Sequence, residues 1–168
     1  MIGNDVVDLA LAKIESNWQR KGFLNKIFTE NEKILIQKSK NQELMVWNLW
    51  SRKEAAYKIW NRGTGIRKYN PIQFECFDVE LVIGFVAFKK ELYFTKTEVS
   101  KYFIHTISVL KKADFKKIET LKKSTNIIKK NRIPFYFNKE LNILFSISKS
   151  HHGNYEKIVS LSNPKFSL

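Results

Sequence analysis

Before Pro71 the apolar residues fall at helical spacing; after it they gather in short clusters rich in β-branched and aromatic side chains. Residues 2–9, IGNDVVDL, mix β-branched residues with acids at a spacing that suits a strand ending in a turn, which places Asp5 and Asp8 on the strand or at its exit. A short helix is expected over Leu11–Gln19. Thr29 is followed three residues later by Glu32, a capping box that predicts a helix from about Glu30 to Lys38. The strongest helix runs from about Gln42 to Arg62, where Leu44, Met45, Trp47, Leu49, Trp50, Ala55, Ala56, Ile59 and Trp60 give a broad apolar surface. Gly63 and Gly65 stand past its end as caps.

Beyond Pro71, residues 72–110 contain three or four strands, among them LVIGFVAF, ELYFTKTEV and KYFIHTISVL. Residues 111–132 read as a helix with a basic exposed face, and IPFYF, NILFSISKS and NYEKIVSLS read as strands. The order of elements predicts an α+β protein with an antiparallel sheet. No repeat, long linker or low-complexity tract divides the chain, so residues 1–168 are expected to form a single domain.

Composition narrows the class. Hydrophobic residues make up 43% of the 168 and aromatics 14%, with 13 Phe, enough for a real core and too many for wholesale disorder. One cysteine, Cys76, excludes an intramolecular disulfide framework and a cysteine-rich zinc module. The longest apolar run, Leu81–Phe88, falls far short of a membrane span, and the N-terminus has no basic segment followed by a long apolar one. The expectation is a soluble cytoplasmic protein with no membrane partner. Thirty Lys and Arg against 16 Asp and Glu give a net charge of +14, of which residues 111–168 carry +9. Such a field favours anionic partners: nucleic acid, phosphorylated small molecules, anionic lipid or an acidic protein.

Three constellations offer chemistry. Glu54 and Lys58 lie four apart on one helical face, a spacing common in exposed ion pairs but here on the most aromatic helix of the chain. Asp5 and Glu54 would make a pair of magnesium ligands if strand and helix pack together, since that ion takes one or two carboxylates and completes its shell with water and phosphate oxygens. The run Ser148-Lys149-Ser150-His151-His152-Gly153 is a poor metal site, because neighbours in a strand point to opposite faces. Three histidines without zinc spacing or HExxH disfavour a zinc enzyme, and no GxSxG elbow, Walker A loop or GxGxxG turn is present.

In this order the pieces resemble the 4'-phosphopantetheinyl transferase superfamily, in its short holo-acyl-carrier-protein synthase type. GNDVVDL (3–9) looks like the family's opening strand, IFTENE (27–32) like its helix start, and WSRKEAAYK (50–58) like its most specific signature. GTGI (63–66), the Pro of NRIPFY (131–136) and SKSH (148–151) are similar to its later motifs.

The resemblance implies a phosphopantetheinyl-transferase-like fold, with an antiparallel sheet packed on a long central helix and an insertion at about 90–130. It implies transfer of the phosphopantetheine arm of coenzyme A to a serine of an acidic apo carrier protein, with release of adenosine 3',5'-bisphosphate. Asp5 and Glu54 would hold Mg2+ or Mn2+. Glu54 would help deprotonate the serine, directly or through a water on the metal. Lys58 would neutralise the leaving phosphate, with Lys53, Gly65 and His151 also contacting coenzyme A. A homotrimer is a further implication. Two alternatives stand beside it: a non-catalytic coenzyme-A-binding relative, and a basic nucleic-acid-binding module. The latter is disfavoured because the lysines of 111–132 are not interleaved with aromatics.

Overall fold

In the computed structural model, which describes residues 1–121, 126–140 and 142–161, both faces of the N-terminal strand are covered. This strand, β1 (Ile2–Asp8), leads into three short helices, α1 (Leu9–Glu15), α2 (Phe23–Ile27) and α3 (Glu30–Lys38), and then into the long α4 (Gln42–Thr64). The side chains of β1 alternate. Gly3 and Asp5 turn towards α4, while Ile2 and Asn4 turn towards the C-terminal strands. A Cβ on Gly3 would lie 2.0 Å from the Ala55 carbonyl oxygen, so strand and helix touch backbone to backbone there.

Local signals explain the helix ends. Asp8 Oδ1 accepts from the N–H groups of Ala10 and Leu11 (3.0 and 3.2 Å), which starts α1 two residues earlier than the apolar pattern predicts. The capping box forms as expected: the Thr29 hydroxyl accepts from the Glu32 N–H, and the Glu32 carboxylate accepts from the Thr29 N–H. Asn41 caps α4, and Gly65, with φ 72°, ends it by donating its N–H to the Asn61 carbonyl (2.8 Å).

Four strands follow: β2 (Glu75–Phe77), β3 (Ile83–Phe88), β4 (Glu91–Val99) and β5 (Phe103–Val109). With β1 they make a five-stranded antiparallel sheet in the order β1-β5-β4-β3-β2. The remaining strands are β6 (Ile118–Leu121), β7 (Ile127–Lys130), β8 (Ile133–Asn138), β9 (Ile143–His152) and β10 (Tyr155–Leu161). They form a second antiparallel sheet in the order β6-β10-β9-β8-β7. Adding five to each strand number of the first sheet reproduces the second. The architecture therefore repeats although no repeat is visible in the residues themselves.

The main core fills the space between α4 and the first sheet, around Val46, Leu49, Ala56, Ile59, Phe74, Val86 and Ile104. A smaller one, built on Ile2, Val109 and Val159, joins the two sheets. The helix expected over 111–132 is not formed. In its place are a 3-10 turn (Lys112–Lys117), β6 and β7, while residues 122–125 lie outside the described part. Pairing decides this: β6 adds to the edge of β10 and β7 to β8, and Ile118 packs against the small core.

Candidate active site

The C-terminal half of β1, the middle of α4 and the end of β9 meet around a cavity of about 310 Å³. Asp5, Glu54, His151 and His152 are its titratable groups, and Trp47, Trp50, Phe23 and Ile27 supply much of its apolar wall. Two clips bring β9 there. The Asn4 N–H donates to the Ser148 hydroxyl (2.9 Å) and its side-chain amide to the Ser150 hydroxyl (3.0 Å). At the hairpin turn the Asn154 N–H donates to Asp8 Oδ2 (3.1 Å). Gly153, at φ 53°, passes so close that a Cβ would stand 2.3 Å from that oxygen, so glycine is required twice over. Arg62, near the end of α4, fixes the same strand by donating to the Ser146 hydroxyl (2.7 Å) and the Ile147 carbonyl.

The electrostatics follow from two carboxylates sharing one apolar recess. Burial lifts the pKa of Asp5, opposed by Lys58, whose Nζ lies 3.1 Å from Asp5 Oδ1 and also donates to the Asn4 carbonyl (2.7 Å). Glu54, one turn before Lys58, is pushed up to about 7, first by burial and then by the charge of Asp5. Among the described residues no hydrogen-bond donor reaches its carboxylate. Asp8, by contrast, is held below its ordinary value by the N–H groups of Asn154, Leu11 and Ala10.

Among the described residues no three of His, Cys, Asp and Glu gather as an all-protein metal cage. Two mutually repelling carboxylates, one without a donor, fit instead a hard divalent cation that takes its other ligands from water and a bound phosphate.

Asp5, Glu54 and His151 thus line one cavity, and Lys58 is joined to it through Asp5. Lys53 is not there. Its ammonium is wholly buried, donating to Glu32 Oε2 (2.7 Å) and to the carbonyls of Phe74 and Pro71 (2.7 and 3.0 Å), because one step along a helix turns a side chain by about 100°. It does not line the cavity. Gly65 is the exposed cap of α4, about 16 Å of helix beyond Glu54 and outside the cavity lining. His152 carries no expected role, since strand alternation should turn it away from its neighbour. At the hairpin end His152 Nδ1 accepts from the Asp8 N–H (2.8 Å), and the residue lines the cavity together with His151.

The chain belongs to the 4'-phosphopantetheinyl transferase superfamily, whose sequence profile matches residues 1–109. It is a transferase of that class. It is 33% identical to the holo-(acyl-carrier-protein) synthase of Fusobacterium nucleatum over 91 residues, 54% of this chain and 71% of that protein. Its fold is similar to the crystal structure of the Thermotoga maritima holo-(acyl-carrier-protein) synthase (TM-score 0.51, 19% identity, 74% of this chain and 78% of that one). It is similar also to the Helicobacter pylori enzyme in complex with coenzyme A (TM-score 0.54, 15% identity, 66% of this chain and 100% of that one). Residues 90–109 of the expected insertion fall inside the profile match and supply β4 and β5; the second sheet lies beyond it. No described helix is long and apolar enough to cross a membrane.

Proposed function

We propose that the protein transfers the 4'-phosphopantetheine arm of coenzyme A to a serine of an apo acyl carrier protein. The serine Oγ attacks the phosphorus that bears the pantetheine arm, the bond from that phosphorus to the bridging oxygen breaks, and adenosine 3',5'-bisphosphate leaves. The observation that carries this reading is the meeting of Asp5 and an undonated Glu54 in one apolar recess, with Lys58 bonded to Asp5. Glu54, which faces the cavity with no donor on its carboxylate, helps take the serine proton. Lys58, half-buried and already oriented by Asp5 and the Asn4 carbonyl, offsets charge on the departing phosphate. His151, exposed at the rim, contacts the nucleotide portion.

Asp5 and Glu54 would hold Mg2+, or Mn2+, which supplies charge neutralisation at the pyrophosphate when bound. The basic surface serves encounter with an acidic carrier protein and with coenzyme A itself. Both carboxylates and both histidines of the cavity come from this chain, and a homotrimer is part of the same reading.

The test is calorimetric titration of coenzyme A with magnesium and with EDTA, followed by mass spectrometry of an apo carrier protein after incubation. Magnesium-dependent binding and a phosphopantetheine mass shift, both abolished in Glu54→Gln, are expected. Binding without any mass shift across several carrier proteins would overturn transfer.

A further inference from the structure

β1 is the outermost strand of the first sheet and, among the described residues, pairs with β5 alone, so main-chain groups on its other edge have no strand to pair with. Open edges of this kind invite pairing and are usually covered. Here β9 covers the edge with side chains. The Asn4 N–H donates to the Ser148 hydroxyl (2.9 Å), and the Asp8 N–H donates to His152 Nδ1 (2.8 Å). Both pairs are 144 residues apart in the chain. A constant offset means two strands running the same way in register, and residues 148, 150 and 152 share one face of β9. Ser150 fills the middle place by accepting from the Asn4 side-chain amide (3.0 Å). The three residues make a ladder along the open edge, with His152 as its last rung.

The chemistry of that rung is settled by its partner. A main-chain N–H can only donate, so Nδ1 is unprotonated and the proton of the neutral ring is on Nε2. Nε2 stands 3.4 Å from Glu15 Oε2 at the end of α1. One nitrogen is engaged by the last residue of β1 and the other faces the last residue of α1, so the ring ties both to the strand that carries His151. His152 lines the cavity with Asp5, Glu54 and His151, yet Nδ1, the one nitrogen with a free lone pair, is already occupied. The residue is placed to hold the site and not to take a proton from it.

We propose that His152 is a positioning residue of this site: as the last rung of the ladder it fixes the end of β9, and with it His151, relative to Asp5. What His151 is held ready for, the nucleotide portion of coenzyme A, rests on the transferase function proposed above; the ladder itself does not.

The test compares His152→Ala, His152→Asn and His152→Gln in the full chain. The amide of Asn reaches the place of Nδ1, and that of Gln the place of Nε2. Calorimetry with coenzyme A and magnesium should show Ala and Gln about tenfold weaker than the wild type and Asn within about threefold of it. Turnover at saturating coenzyme A should stay within about threefold in all three, since the residue touches no reacting atom. Hydrogen exchange of the Asp8 amide should be about tenfold faster in Ala and Gln and near the wild-type rate in Asn. Nitrogen NMR of the wild-type ring should place the proton on Nε2. Rescue by Gln and not by Asn, a proton on Nδ1, equal affinities in all four proteins, or turnover lost in every variant would each overturn the proposal. Should Ala fail to fold, the comparison of Asn with Gln decides. A wild type that binds no coenzyme A would sink the transferase function instead, and the exchange rates and the ring spectrum would then decide the role of His152.

Discussion

The two five-stranded sheets share one strand order and differ in what lies against them. The first is packed on α4, whose polar side chains are absorbed by the structure around it. Arg52 donates to Asn48, Thr95 and the Glu80 carbonyl, and Lys53 ties α3 to the 71–76 segment. The second sheet, in its described residues, carries no long helix of its own, exposes most of its β7 side chains and meets the first mainly through β9 and β10. A frame of strands is therefore insufficient for the chemistry. The helix delivers Glu54 and Lys58, and the second sheet delivers histidines to a site it could not build itself.

Breaking the weld of the first sheet gives the largest expected effect. Lys53→Met leaves Glu32 charged and buried without its partner, which should cost about 3–5 kcal/mol in urea unfolding, while coenzyme A affinity of the folded fraction stays the same. Next are Asp5→Asn and Glu54→Gln, each expected to lower turnover about a hundredfold or more with unchanged circular dichroism.

Stability against pH separates two groups of the first half, Glu54 on α4 and His105 on β5, by sign. Glu54, raised from 4.5 to about 7, holds its proton more tightly in the folded state, so its contribution to stability falls as pH rises from 4.5 to about 7. His105, lowered from 6.5 to about 4 by burial and then by Lys157 and Lys58, contributes stability that is lost as pH falls from 6.5 to about 4. Relative to the wild type, Glu54→Gln should tilt the profile upward with pH and His105→Asn should tilt it downward; parallel profiles would contradict both assignments. The smallest effect concerns the second sheet's basic strand. Lys129→Glu with Lys130→Glu should slow carrier-protein association a few-fold at low salt and flatten its salt dependence, measured by stopped flow.

Features encoded within a few residues were the legible ones. The capping box gave α3 its observed bounds, and β1, α4 and the late strands were visible from spacing and β-branched residues. Spacing and carboxylate chemistry pointed to Asp5, Glu54 and Lys58, and motif resemblance added His151 and the expectation that they meet, because it carries long-range geometry that periodicity does not. The misreadings came from tertiary context. The lysine pairs of 111–132 gave a helical spacing, yet β10 and β8 offered edges to pair with. Lys53 stands beside a candidate ligand in sequence and faces Glu32 in space. His152 reaches the cavity because it is held by the Asp8 N–H, a contact that no local pattern encodes. The repeat of the two sheets lies in strand order, which no short window of sequence reveals.

The backbone contact between Gly3 and Ala55 acts as a gauge block. Two residues on from Gly3 stands Asp5, and one residue before Ala55 stands Glu54, so the gap between the carboxylates is machined by main-chain atoms with no side chain to wear or adjust. A single methyl at position 3 would be a shim under the helix, widening that gap while every functional group of the site remained in the sequence.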